Sequence, residues 1–189
     1  RAPAAPGRST CLTRAAPTLP IAAKSRCPAA RAARGHREAD GHPLRLREFE
    51  QVIGLIQREQ RLNQNELNRP FCILSVDWEG NFSTFDPELL SVSSDRYGSF
   101  NLGNLRSTSF EQAARSERFA QLWRDVVSGM ERCQSSCDYY GLCGGGMGSN
   151  KFWEHGTLDC SETSACRFRT QIPVQVLLDR FEAGPPGDS

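Results

Sequence analysis

Eight cysteines stand in the chain, at positions 11, 27, 72, 133, 137, 143, 160 and 166, and five of them crowd into the 34 residues from Cys133 to Cys166. A thiolate is a soft anionic donor, so clustered cysteines are candidates for zinc, for an iron–sulfur cluster or for disulfides. The spacing is Cys133-x3-Cys137-x5-Cys143, with Cys160 and Cys166 further on. Close-set thiolates come from one turn of chain, and a remote one closes the cage around a metal. Directly after the third cysteine runs Gly144-Gly145-Gly146-Met147-Gly148. Glycine adopts positive φ freely, so this backbone can wrap tightly around a bulky inorganic group, and its amides can donate hydrogen bonds to sulfide.

Each alternative predicts a different pattern. A disulfide framework spreads an even set of cysteines through the domain, whereas outside the cluster the folded region has only Cys72. A structural zinc site favours C-x2-C pairs or a closing H-x3-H. His155 could supply a fourth ligand, but the pairing is wrong. The spacing therefore favours an iron–sulfur cluster, with zinc and disulfides left open. Cys72, in an apolar run, reads as a small buried hydrophobe. Cys11 and Cys27 are given no role.

The elements that must position these thiols can be read from periodicity. Leu46, Phe49, Val52, Ile53, Ile56 and Leu62 mark one face of a helix that ends at Asn63, Asn65, Asn68 and Pro70. Residues 71–76 and 82–85 read as a β-hairpin across a four-residue turn at 78–81. Loops follow, with Ser107 or Ser109 capping a helix at Phe110. A stronger helix is expected from Ser116 to about Arg132, with Phe119, Leu122, Trp123, Val126, Val127 and Met130 on its apolar side. A last helix opens at Ile172-Pro173 and runs to Phe181. The fold class is α+β. No run of about 18 apolar residues exists, so no transmembrane helix is expected.

Residues 1–45 differ from the rest. They hold nine basic and two acidic residues, whereas 46–189 hold fourteen and twenty, so a net charge of +1 hides a sharp asymmetry. Prolines at 3, 6, 17, 20, 28 and 43 interrupt any helix. The segment is expected to be disordered. A transit peptide, a basic arm, or foreign sequence joined to a fragment would each account for it. The near-neutral total argues against a nucleic-acid binder.

At the cysteine cluster the chain resembles a known family. Cys-x3-Cys-x5-Cys-Gly-Gly-Gly from Cys133, then Asn150-Lys151, Glu154, Gly156, Glu162-Thr163 and Cys166, is similar to the SPASM region of radical SAM peptide maturases. The nearest subgroup installs cyclophane or related cross-links in ribosomal peptides, including glycine-rich repeat peptides. Arg47-Glu48-Phe49-Glu50 resembles the last barrel helix, residues 73–85 the hairpin, and residues 97–104 the loop after it. The resemblance covers about 46–182: a remnant of the barrel helix over 46–68 within an auxiliary-cluster domain, with 183–189 as a tail.

The resemblance implies one [4Fe-4S] cluster held by Cys133, Cys137, Cys143 and Cys166. Cys166 fits the fourth position better than Cys160 because it follows Glu162-Thr163. A full SPASM region has seven cysteines and two clusters. Here the hairpin ends without a cysteine, none follows Gly98 or Gly103 at short distance, and Met147 stands where another would lie. The first cluster's ligands are thus missing together. The family's catalytic C-x3-C-x2-C, which binds S-adenosylmethionine, is also absent, so the chain reads as the C-terminal piece of a cytoplasmic maturase. It is not expected to be active alone. In the full-length enzyme the partner would be a precursor peptide, with no nucleic acid and no membrane. A zinc-stabilised interaction module and a non-functional truncated product are the competing readings.

Other residues near the cluster have plainer roles to weigh. Asn150, Lys151 and Glu154 read first as a loop tied by an amide and an ion pair, and only second as peptide contacts. Glu162-Thr163 reads as a capping or turn device. Tyr139, Tyr140 and Trp153 are expected to shield the cluster, and Trp123 to lie in the core.

Overall fold

The computed structural model describes residues 47–182. Helix α1 (Arg47–Gln57) opens this region, and a 3-10 turn (Glu66–Asn68) precedes the sheet. Strands β1 (Leu74–Val76), β2 (Asn81–Thr84) and β5 (Gly103–Asn104) form an antiparallel sheet in the order β1-β2-β5. The register pairs Leu74 with Thr84 and Phe82 with Gly103. A second small ladder joins β3 (Ser93–Ser94) to β4 (Gly98–Ser99). Then come α2 (Phe110–Ala114), α3 (Glu117–Ser136), α4 (Tyr140–Cys143), α5 (Gly148–His155) and α6 (Ser164–Cys166). A π-turn (Arg167–Gln171) leads into α7 (Ile172–Glu182), which packs against α1. The architecture is α+β. Among the described residues no helix is long and apolar enough to cross a membrane.

The core lies between the sheet and α3. Phe82, Phe85, Leu89, Tyr97, Phe100 and Leu102 meet Leu122 and Val126 of α3 and Phe152 of α5. Phe85 stacks on Phe119 and on Trp123, with ring centroids 6.0 and 5.9 Å apart. Burying such rings contributes about 1.5–3 kcal/mol each. Tyr97 fastens this core to the cysteine region: its hydroxyl donates to Asp125 at 2.7 Å and accepts from the Leu158 amide at 2.9 Å. Burial pushes the Tyr97 phenol up, so it stays a neutral donor.

Several expectations need correcting. Helix α1 stops at Gln57, short of Leu62 and the asparagines. Glu59 takes a left-handed φ of 53°, its amide bonds to Ile56 O, and the Gln60 amide reaches back to Leu55 O. That is a Schellman stop, with Glu in the place usually held by Gly. The hairpin turn is Asp77–Gly80, one residue earlier than read, because the Asp77 carboxylate accepts from the amides of Glu79 and Asn81. Cys72 is exposed, not buried: it precedes β1 on the outward face shared by Leu74, Val76 and Trp78. Asn150, Lys151 and Glu154, read first as loop residues, lie in α5. The cap at Ser109 is present as a full capping box with Gln112. Helix α3 starts as read, at its Ser116 cap, but runs on to Ser136 and so carries Cys133. The expectations for 1–45 and 183–189 lie outside the described residues.

Candidate metal centre

Cys133 sits on the inward face of α3, one turn after Gly129 and two after Val126, all three buried. Cys137 is the residue that ends this helix, its amide bonded to the Cys133 carbonyl at 3.0 Å. Cys143 closes α4, and Gly144 follows with a φ of 63° as the left-handed stop. Cys166 ends α6, where Thr163 caps its amide at 3.1 Å and the Cys166 sulfur accepts from the Thr163 amide at 3.3 Å. The expected capping role of Thr163 is thus met, with a thiol standing where a capping box usually has Glu or Gln.

These four thiols are free; Cys143 and Cys166 act electrostatically on Cys133, all three of these on Cys137, and Cys143 on Cys166. Burial is the largest influence on Cys133, Cys137 and Cys166, and it pushes all three thiols up. Each neighbouring thiol adds to the cost of ionising the next, as expected where several anions share a small volume. Yet the four are not gathered as the ligands of a single ion are: among the described residues no three His, Cys, Asp or Glu side chains make such a group. A mononuclear zinc draws its sulfurs to about 2.3 Å from one centre. Cys72 lies outside the set, and Cys160, 1 % exposed, is not among its free thiols.

The Gly-rich loop forms the cradle. Gly144, Gly145 and Gly146 all have positive φ, at 63°, 99° and 71°. A Cβ on Gly144 would lie 2.5 Å from the Asn65 amide nitrogen, and one on Gly145 would lie 2.8 Å from Met130 Cγ. A Cβ on Gly146 would meet nothing within 4 Å, so that residue is needed for its backbone angle.

Two asparagines hold the loop, and sequence reading missed them as site residues. The Asn65 amide group donates to the carbonyls of Cys143 and Gly146 at 2.9 and 2.7 Å. Asn68, 3 % exposed, donates to Gly144 O and Gly146 O at 3.2 and 2.8 Å. The signal was present in the run of asparagines, which reads equally well as a helix stop.

The remaining expectations divide. Tyr139 and Tyr140 are half-buried beside the thiols; burial foremost, then the neighbouring cysteines, raises both phenols. Trp153 is 62 % exposed and shields nothing, because α5 turns that face to solvent. Trp123, half-buried, packs against the core. His155 is tied to the Glu162 carbonyl at 2.9 Å. Glu154 accepts from the amides of Ser164 and Ala165 at 2.6 and 3.1 Å, fixing α6 and hence Cys166. Lys151 makes no loop ion pair; it is buried and faces Cys133.

Where the resemblance would place further cysteines, other residues stand. Asp86, 1 % exposed, accepts from the Ser149 amide at 3.1 Å and hydroxyl at 2.6 Å. This bond joins the hairpin's end to the first turn of α5, next to Met147, where sequence reading found cysteines missing.

Among known proteins, the chain is similar to an uncharacterized protein of Synechocystis, with 49 % identity over 139 residues. The match takes in 74 % of this chain and 35 % of that protein, so the chain spans about a third of its relative's length. No family model matches, and no solved structure matches.

Proposed function

We propose that residues 47–182 form an auxiliary iron–sulfur domain, one [4Fe-4S] cluster held by Cys133, Cys137, Cys143 and Cys166, within a radical SAM enzyme that modifies ribosomal peptides. The observation that carries this reading is a set of four free thiols near enough to influence one another, with the Cys133 sulfur 3.7 Å from the Gly145 carbonyl. They stand around a loop whose three successive glycines have positive φ. The donor set is all sulfur, half-buried to buried, and lined by two tyrosines, which suits a cluster better than a hydrated ion. The cluster would supply one-electron chemistry or a fixed post for the peptide.

The chain's own residues do the positioning. Asn65 and Asn68 hold the loop carbonyls, Glu154 and Thr163 fix Cys166, and Tyr139 and Tyr140 exclude water. S-adenosylmethionine and the precursor peptide would be bound by the enzyme's barrel. The part of the Synechocystis relative beyond the match leaves room for one, since an α/β barrel takes about 200–250 residues. Thiolate ligation of iron also suits a reducing compartment, so the cytoplasm is the proposed location.

Anaerobic reconstitution with iron and sulfide tests the reading. The expected result is a [4Fe-4S] complement per chain and the electron paramagnetic signal of its reduced state. Cys133→Ala, Cys137→Ala, Cys143→Ala and Cys166→Ala should each lose it, whereas Cys72→Ala and Cys160→Ala should keep it. Uptake of one zinc ion with no retained iron would favour an interaction module instead.

A further inference from the structure

Lys151 is the single lysine between residues 47 and 182; every other basic side chain there except His155 is arginine. It is 3 % exposed. Lysine is almost never buried so deeply unless its ammonium is paired. The space for it is made by Gly129. A Cβ there would lie 3.0 Å from Lys151 Nζ and 3.1 Å from Cys160 O, and would overlap Leu158 O. The ammonium therefore sits in a niche in α3, beside backbone carbonyls and one turn from Cys133 on the same face.

Its Nζ lies against Gly129, one turn before Cys133 on the buried face of α3, so the ammonium stands close to that thiol. The other charges around the site are arranged differently. Glu162 lies beside Cys166 as an anion. Arg167 pairs with Glu162 at 3.6 Å, and Arg169 donates to the Met147 sulfur at 3.1 Å. Asp138 and Asp179 act on Tyr139. The buried cation directed at a thiol is Lys151.

We infer that Lys151 is the fixed counter-charge of the four-thiolate site, a positioning residue that holds Cys133 as a ligand and favours the reduced cluster. The inference rests on the proposed iron–sulfur reading. Four thiolates outweigh the positive charge of the core, so a loaded site is anionic, and reduction adds one further negative charge. A cation held in a low-dielectric niche stabilises the more negative state most. A lysine kept only to fill the niche would not discriminate between the two.

The test compares the wild-type chain with Lys151→Met and Lys151→Arg, each reconstituted with iron and sulfide. The readouts are iron per chain, midpoint potential, and thermal stability with and without metal. Lys151→Met should shift the potential to more negative values. It should also release iron faster to a chelator, while the metal-free chain loses little stability or gains some, since a buried charge has been removed. Lys151→Arg, which keeps the charge, should restore the potential toward wild type. An unchanged potential in Lys151→Met overturns the inference. So does equal destabilisation of the metal-free and loaded forms, or a Lys151→Met chain that folds in neither, because then the lysine is a structural post. Failure of the wild-type chain itself to take up iron would overturn the iron–sulfur reading, a result distinct from all of these.

Discussion

Gly129 decides how close the Leu158–Cys160 segment can lie to α3, and with it where Lys151 and Cys133 meet. An alanine there would gain about 1 kcal/mol of helix propensity. Against that, its methyl would overlap the Leu158 carbonyl and crowd the Lys151 ammonium, and overpacking typically costs about 1–3 kcal/mol. Gly129→Ala should therefore lower the melting temperature, and it should weaken iron retention by more than a stability change elsewhere does. Paired thermal melts and chelator-release rates of this variant and of a core variant such as Val126→Ala check this. Asp86 makes a second residue-scale case. Its carboxylate has two bonds from Ser149 in a nearly inaccessible position. Replacing it by Ala leaves that buried hydroxyl and amide without an acceptor, at a cost of about 1–3 kcal/mol. Denaturant unfolding should show the loss, and Ser149→Ala should show a smaller one.

At the scale of elements, two ends carry predictions. Helix α1 stops on Glu59, a non-glycine residue with a φ of 53°, and such a conformation costs an L-residue about 1–2 kcal/mol. Glu59→Gly should stabilise the chain by roughly 1 kcal/mol, less any entropy glycine adds to the unfolded state, measured by denaturant midpoint. Helix α6 depends on Glu154. Burial alone would raise that carboxyl, but the Ser164 and Ala165 amides outweigh it and hold it below its ordinary value. A depressed carboxylate stabilises the fold above its ordinary range and loses that contribution as pH falls through its folded value. The Cys166 segment should thus loosen as pH falls below the ordinary carboxylate range, seen as lost hydrogen-exchange protection of the Ser164 and Ala165 amides; Glu154→Ala should show the same loosening at neutral pH. The sequence made α3, the hairpin and the Ser109 cap legible, because each has strong periodicity or a capping pattern. It hid the end of α1, since Glu does not announce a left-handed residue. It hid α5 as well, whose Gly148 and Gly156 read as loop. The crowding of the cysteines was legible from spacing, but Asn65 and Asn68 lie some 75–80 residues upstream of the carbonyls they hold, and no local pattern points across that distance.

For the molecule as a whole, the question is whether a cluster domain of this kind can do radical chemistry unaided. Reductive cleavage of S-adenosylmethionine needs an iron with an open coordination position, which a three-cysteine site provides and a four-cysteine site does not. Four free thiols act on one another here, and the sequence contains no C-x3-C-x2-C. The described core is filled by the aromatic cluster around Phe82, Phe100 and Phe152. Orientation of reactants can supply about 7–11 kcal/mol of a barrier, so a sequence that lacks the motif for holding the cosubstrate should fall short by many orders of magnitude. The 189-residue chain, reconstituted, reduced and given S-adenosylmethionine, should form no 5′-deoxyadenosine above a blank of iron and sulfide alone. Turnover above that blank would mean that one of the four thiols does not ligate. Cys166 is the one to test, because it comes from a separate segment, held in part through Thr163 and Glu154. Cys166→Ala should then leave the turnover unchanged, whereas Cys133→Ala should abolish it.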